Sequence, residues 1–217
     1  MKFAVVCAGG PVSEVVDLTQ YPVGETVFIG ADRGALYLLE MGIVPQEAVG
    51  DFDSVSEEEY KRIKTSVEQV GQYHSEKDET DIELAVDRAL SYNPKQIILT
   101  GVTGGRLDHM ESTLHLLYRL QIANPAINMS IQNPLNQLSM LLPTEHVIKP
   151  NQDYSYVSLF SFNGPVTGLT LKGFKYETMN EVLETGMTKF TSNEPLASVC
   201  TISFHEGICL MVRSSDS

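Results

Sequence analysis

Positive charge is scarce in this chain. Lys and Arg number 15 against 28 Asp and Glu, which leaves a formal net charge of −13. That balance argues against non-specific binding to nucleic acid or to an anionic membrane, both of which rest on basic patches. It leaves a phosphate substrate open, because a divalent cation can bring the missing positive charge. Cysteine is sparse too. Cys7, Cys200 and Cys209 form an odd set with no CxxC and no ligand spacing. Each lies in an apolar, strand-like run, so three buried free thiols are expected, in keeping with a reducing cytoplasm. No apolar run approaches the ~20 residues of a membrane-spanning helix. The apolar run after Met1-Lys2 ends at Gly9-Gly10; it reads as a first strand, too short for a signal peptide. Trp is absent, and there is no repeat, low-complexity stretch or flexible linker. What is present is an ordinary globular composition, with 217 residues, 42% hydrophobic and 20% charged, enough for a core without staples.

The first part of the chain alternates strand and helix signals. Continuous apolar runs at Phe3–Ala8, Thr26–Ile29 and Gln96–Thr100 read as buried strands. Arg33–Met41 reads as a helix closed by Gly42, and Glu57–Lys64 as a charged surface helix. In Thr80–Leu90, Ile82, Ala85, Val86 and Ala89 follow helical spacing, and Thr80 with Glu83 fits a capping box. Leu107–Gln121 reads as a further helix. Apolar strands alternating with helices predict an α/β domain, a mostly parallel sheet flanked by helices. After Pro143 no convincing helix remains. Strand-like runs recur at Tyr154–Phe160, Val166–Leu171, Lys175–Glu177, Thr188–Thr191, Ala197–Phe204 and Gly207–Val212, and His205-Glu206-Gly207 reads as a hairpin turn joining the last two. The expectation is an α/β domain over 1–145 and an all-β sandwich or barrel over 146–217, the junction falling near Pro143–Pro150.

The chemistry lies in four segments where strands give way to loops, the place where open parallel sheets bind ligands. Asp51 and Asp53 stand two apart, behind Gly50 and ahead of Ser54. Carboxylates at i and i+2 of an extended loop share a side. They repel unless solvated or bridged by a cation such as Mg²⁺. An acidic turn accounts for the same residues equally well. Asp78 and Asp81 flank a helix start; capping explains Asp81, whereas Asp78 precedes the cap and points to metal or phosphate chemistry. Gly101-Val102-Thr103-Gly104-Gly105-Arg106 joins a strand to a helix, so backbone N–H groups and the Arg106 fork could meet phosphate. It matches neither a Walker A loop nor GxGxxG. Asp32 stands at the centre of the remaining segment, Gly30-Ala31-Asp32-Arg33-Gly34, the first of the four in chain order.

Taken in order, Asp32, Gly50-Asp51-Phe52-Asp53-Ser54, Lys77-Asp78-x-Thr80-Asp81 and Gly104-Gly105-Arg106-x-Asp108-His109 resemble the thiamine pyrophosphokinase family. The likeness continues through Phe162-Asn163-Gly164, Leu169-x-Leu171-x-Gly173-Phe174-x-Tyr176 and Thr191-Ser192-Asn193-Glu194. The resemblance implies transfer of the pyrophosphoryl group of ATP to the hydroxyethyl oxygen of thiamine, giving thiamine diphosphate and AMP. It implies Mg²⁺, ATP as co-substrate, a catalytic first domain, a thiamine-binding second domain, and a homodimer with sites near the subunit interface. By position, it implies that Asp51, Asp53 and Asp78 manage Mg²⁺ and the triphosphate, with Asp32 and Asp81 as supporting acids. Thr103, Gly104, Gly105 and Arg106 correspond to the nucleotide loop, with Asp108 and His109 behind it. Ser192 and Asn193 correspond to thiamine contacts. Arg33 stands where many relatives have Gly, so no role is implied for it. Some relatives stack thiamine on a Trp; here a Tyr or Phe must serve.

Two other readings compete. Asp51-Phe52-Asp53-Ser54-Val55 fits the DxDx[TV] nucleophile motif of haloacid-dehalogenase-like phosphohydrolases, although that motif needs a strongly apolar strand before it and 45–50 is a poor one. A catalytically silent nucleotide or thiamine sensor is the third.

Overall fold

The computed structural model describes residues 1–72 and 79–216, so Lys77 and the expected role of Asp78 fall outside the described residues. The chain divides into two compact units, Met1–Pro134 and Leu135–Ser217.

The first unit is an α/β layer structure. Its strands are β1 (Phe3–Cys7), β2 (Thr26–Ala31), β3 (Glu47–Gly50), β4 (Gln69–Gln72), β5 (Gln96–Thr100) and β6 (Asn128–Gln132). All pair in parallel, in the order β4-β3-β2-β1-β5-β6. The order runs outward from β1 to β4, then jumps to the other side of β1 for β5. The β1/β5 junction is therefore the switch point where such sheets open a crevice beyond the strand ends. The helices are α1 (Arg33–Glu40), α2 (Glu57–Ser66), α3 (Asp81–Ser91) and α4 (Leu107–Ala123). β2 and β3 are buried along their whole length, as expected for strands covered on both faces.

β3, β4 and β6 carried no strand signal in the sequence reading. β3 contains Glu47, only 3% exposed. It survives there because Arg88 Nε and the Tyr92 hydroxyl donate to it at 2.5 and 2.8 Å, which ties α3 to β3. A buried strand does precede Asp51, but it is four residues long and carries Glu47, so it is not the strongly apolar strand that the phosphohydrolase motif needs. Ser56 and Glu59 complete a capping box at the start of α2. At α3 Thr80 accepts from the Glu83 N–H at 3.3 Å, while the Glu83 carboxylate pairs with Arg119 of α4.

The second unit is antiparallel: β7 (Asn136–Leu141), β8 (Glu145–Ile148), β9 (Tyr156–Lys172), β10 (Thr178–Leu183), β11 (Cys200–Ser203) and β12 (Glu206–Ser214). It begins ahead of the expected 145/146 boundary because β7 pairs with β12. The runs Tyr154–Phe160 and Val166–Leu171 belong to one long strand, β9. It bends at Asn163 (φ 58°) and Gly164 (φ 113°). Its first half pairs with β12 and its second with β10 and β11, so one strand serves two sheets around a shared core. The last two strands form no hairpin, since β9 lies between β11 and β12. Nor are Lys175–Glu177 and Thr188–Thr191 strands. The Asn193 side chain bonds both backbone groups of Tyr176, and the Thr191 hydroxyl donates to the Thr188 carbonyl at 2.7 Å, so side chains replace a ladder there.

Candidate active site

Three carboxylates converge beyond the carboxyl ends of β2 and β3. One oxygen from each of Asp32, Asp51 and Asp81 lies within 4.8 Å of the others. Asp32 follows β2, Asp51 follows β3, and Asp81 opens α3. The backbone is bent to bring them there. Asp32 has φ 49° and Phe52 φ 60°, both unusual for residues with side chains. The Asp32 N–H donates to the Val49 carbonyl at 2.9 Å, and Asp32 Oδ1 accepts from the Phe52 N–H at 3.2 Å. The Phe52 ring is buried with Ala35, Leu36, Ala48 and Ile63, and lies 5.0 Å from the Tyr60 ring. Gly50 has φ 148°, and a Cβ there would stand 1.8 Å from Asp32 Oδ1. Only glycine lets that carboxylate lie against the strand end.

Burial, then repulsion from Asp81 and Asp51, pushes the Asp32 carboxyl up to about 7, although the Phe52 N–H pulls the other way. The same repulsion among the three carboxylates is what a bound cation would relieve. Hard carboxylate oxygens at this spacing fit a small divalent cation such as Mg²⁺, with phosphate and water completing its shell. Asp53 is not in the group: its side chain is exposed, and its N–H donates to Asp51 Oδ1 at 3.1 Å.

The glycine-rich segment after β5 lies at the switch point. The Gly10 N–H donates to the Gly101 carbonyl at 2.8 Å, joining the loops after β1 and β5. The Thr103 hydroxyl donates to Glu14 Oε2 at 2.6 Å, and Asn133 Nδ2 donates to the same oxygen at 2.8 Å. Glu14 and Asn133 thus fasten this loop. Sequence reading missed both, since Glu14 sits in a short irregular segment and Asn133 just past β6. Gly104 and Gly105 are exposed, ahead of the open N-terminus of α4. The Arg106 fork is taken by Asp108, at 3.1 and 2.5 Å, and Asp108 also accepts from the His109 N–H. Arg106 holds the Asp108 carboxyl down at about 2. A phosphate there would share or displace that pair.

Comparison with known proteins decides the family. The model described as "Thiamin pyrophosphokinase, catalytic domain" matches residues 18–130, and "Thiamin pyrophosphokinase, vitamin B1 binding domain" matches 145–209. The chain belongs to the thiamine pyrophosphokinase family. The thiamine pyrophosphokinase of Bacillus subtilis (strain 168) is 40% identical over 216 residues, 100% of both chains. The crystal structure of thiamine pyrophosphokinase from Bacillus subtilis superposes with a TM-score of 0.93 at 40% identity, covering 100% of each chain. That of thiamin pyrophosphokinase from Geobacillus thermodenitrificans gives 0.90 at 36% identity, covering 100% of this chain and 99% of the other.

In the stretch matched by the family's vitamin-binding model, Ser192 is exposed at φ 56°, and its N–H donates to Ser158 Oγ at 2.9 Å. Asn193 is buried. Its amide oxygen accepts from the N–H groups of Tyr176 and Glu194, both at 3.0 Å, and its nitrogen donates to the Tyr176 carbonyl at 2.8 Å. Asn193 therefore fixes the backbone that presents Ser192 and the exposed ring of Tyr176, 64% accessible.

Proposed function

We infer that this chain is an ATP-dependent thiamine diphosphokinase. It transfers the pyrophosphoryl group of ATP to the hydroxyethyl oxygen of thiamine and releases thiamine diphosphate and AMP. The observation that carries this reading is the convergence of Asp32, Asp51 and Asp81 in a chain of this family. In this proposal those carboxylates hold Mg²⁺, with Asp53 and Asp78 serving the triphosphate or a further cation. Bound there, Mg²⁺ would neutralise charge on the phosphate oxygens during transfer.

The remaining roles belong to the chain itself. The backbone of Thr103, Gly104 and Gly105 and the start of α4 offer N–H groups to the nucleotide phosphates, and Arg106, steered by Asp108 and His109, adds donors. A carboxylate of the acidic group accepts the hydroxyethyl proton late in the transfer. Ser192 and Asn193 shape the thiamine side, where the exposed Tyr176 ring, with Lys175 Nζ 5.7 Å from its centroid, is the aromatic offered to a cationic ring. Assembly as a homodimer and a cytoplasmic location complete the proposal. The three cysteines are free and buried, in keeping with a reducing compartment. Among the described residues no helix is long and apolar enough to cross a membrane.

ATP labelled with ³²P tests the chemistry. Label in the β and γ phosphates should enter thiamine diphosphate together, and α label should stay with AMP. Movement of γ label alone, or into free phosphate without thiamine, would refute pyrophosphoryl transfer and bring back the hydrolase reading.

Two substitutions probe the geometry. Gly50→Ala is expected to lower turnover about a hundredfold, because the new Cβ displaces the Asp32 carboxylate. Circular dichroism should show the fold retained, and wild-type turnover would mean that the Asp32 position does not matter. Tyr176→Ala is expected to raise KM for thiamine about tenfold and leave KM for ATP unchanged. Steady-state kinetics with each substrate varied reads the difference.

A further inference from the structure

Arg33 adjoins Asp32 in the chain, yet its side chain reaches the far end of the carboxylate loop. Its Nη1 donates to the Ser54 carbonyl at 2.7 Å, and its Nη2 meets Glu59 Oε1 at 3.1 Å. Glu59 is itself fixed. Its other oxygen accepts from the Ser56 N–H at 2.8 Å, and its own N–H donates to Ser56 Oγ at 3.3 Å. Both members of the pair are about one-third exposed, at 35% and 31%. The guanidinium thus bridges the start of α1 and the cap of α2, and the turn bearing Asp51 and Asp53 is strung between them.

That turn needs holding, since Phe52 sits at a φ that side-chain-bearing residues keep only when their surroundings enforce it. Asp32 fastens its entry through the Phe52 N–H, and the buried Phe52 ring fastens its middle. Arg33 fastens its exit. Two donors of one planar fork on two acceptors define a direction as well as a distance, which a single ammonium group cannot do. We propose that Arg33 is a positioning residue. Its latch on Ser54 and Glu59 keeps Asp51 in register with Asp32 and Asp81, and so sets the affinity of the group for a divalent cation. This inference rests on the proposed cation site.

The sign of the effect separates the latch from simple charge. A cation beside the site opposes a divalent ion, so charge alone predicts tighter metal binding once Arg33 is neutralised. The latch predicts weaker binding. Free Mn²⁺ measured by electron paramagnetic resonance during titration of the purified chain reads this without turnover. Arg33→Met is expected to bind Mn²⁺ about tenfold more weakly than the unaltered chain. Arg33→Lys keeps the charge and should still bind more weakly, between the two. Glu59→Gln can keep the Ser56 cap through its amide oxygen but loses the ion pair, and should show a smaller shift in the same direction. At saturating Mg²⁺ these variants should regain most of the normal transfer rate. Should Arg33→Met fail to fold, Glu59→Gln carries the test. Unchanged or tighter Mn²⁺ binding across the folded variants would overturn the latch. No Mn²⁺ binding by the unaltered chain would remove the cation site itself, and the latch with it.

Discussion

Replacing Asp51 by Asn is expected to slow formation of thiamine diphosphate about a thousandfold while the chain stays folded. Asp51 belongs to the converging group, and its Oδ1 also accepts the Asp53 N–H. Asn preserves the shape and that hydrogen bond, so the turn should persist. It removes one of the negative charges that would hold the cation, and it can place an N–H where an oxygen is needed. Thermal stability of the metal-free variant should be equal or slightly raised, because Asp51 is among the carboxylates that repel Asp32. Rates of AMP release beside a melting curve separate the two effects. A normal rate would exclude Asp51 from the metal site; a collapsed melting curve would make its role structural.

The apparent Mg²⁺ requirement is expected to climb as pH falls below about 7, by about tenfold per unit, and to level off above it. Burial and the neighbouring carboxylates hold the Asp32 carboxyl at about 7 in the ligand-free chain. A cation binds the ionised form, so below that pH a proton must leave first. The linkage also fixes the sign for stability. An unfolded Asp titrates near 3.9, according to model peptides. The folded value is raised, so the folded chain holds a proton that the unfolded chain has released. The Asp32 contribution to metal-free stability is therefore greatest below about pH 4, falls as pH rises to about 7, and is flat beyond. Other carboxylates impose their own acid unfolding, so the informative quantity is the difference between the unaltered chain and Asp32→Asn. That difference should grow from pH 4 to 7, and added Mg²⁺ should shift it in favour of the unaltered chain, which keeps the ligand. Parallel stability curves for the two proteins would contradict the account.

The parts of the fold that were legible in the sequence were those with strong periodicity. β5 was read with its true ends, and α1, α3 and α4 to within a residue or two. β3, β4 and β6 were not legible. β3 carries a buried Glu whose partners, Arg88 and Tyr92, lie far along the chain. β4 is an edge strand with no buried residue, so its pattern is weak. In the second unit, the bend at Asn163 and Gly164 made one strand look like two. The acidic residues were legible as a set but not as a constellation. Asp32 and Asp81 were read as supporting groups, yet the structure places them with Asp51, because the positive φ at Asp32 and Phe52 turns these side chains together. Nothing in the local sequence announces such angles at non-glycine residues.

Phosphorus NMR of the purified chain with ATP and thiamine, recorded before and after addition of Mg²⁺, tests the central claim most directly. The account predicts AMP and thiamine diphosphate in equal amounts, appearing only when thiamine and Mg²⁺ are both present and stopping on chelation. ADP or free phosphate formed without thiamine, or the same transfer in the presence of a chelator, would contradict it.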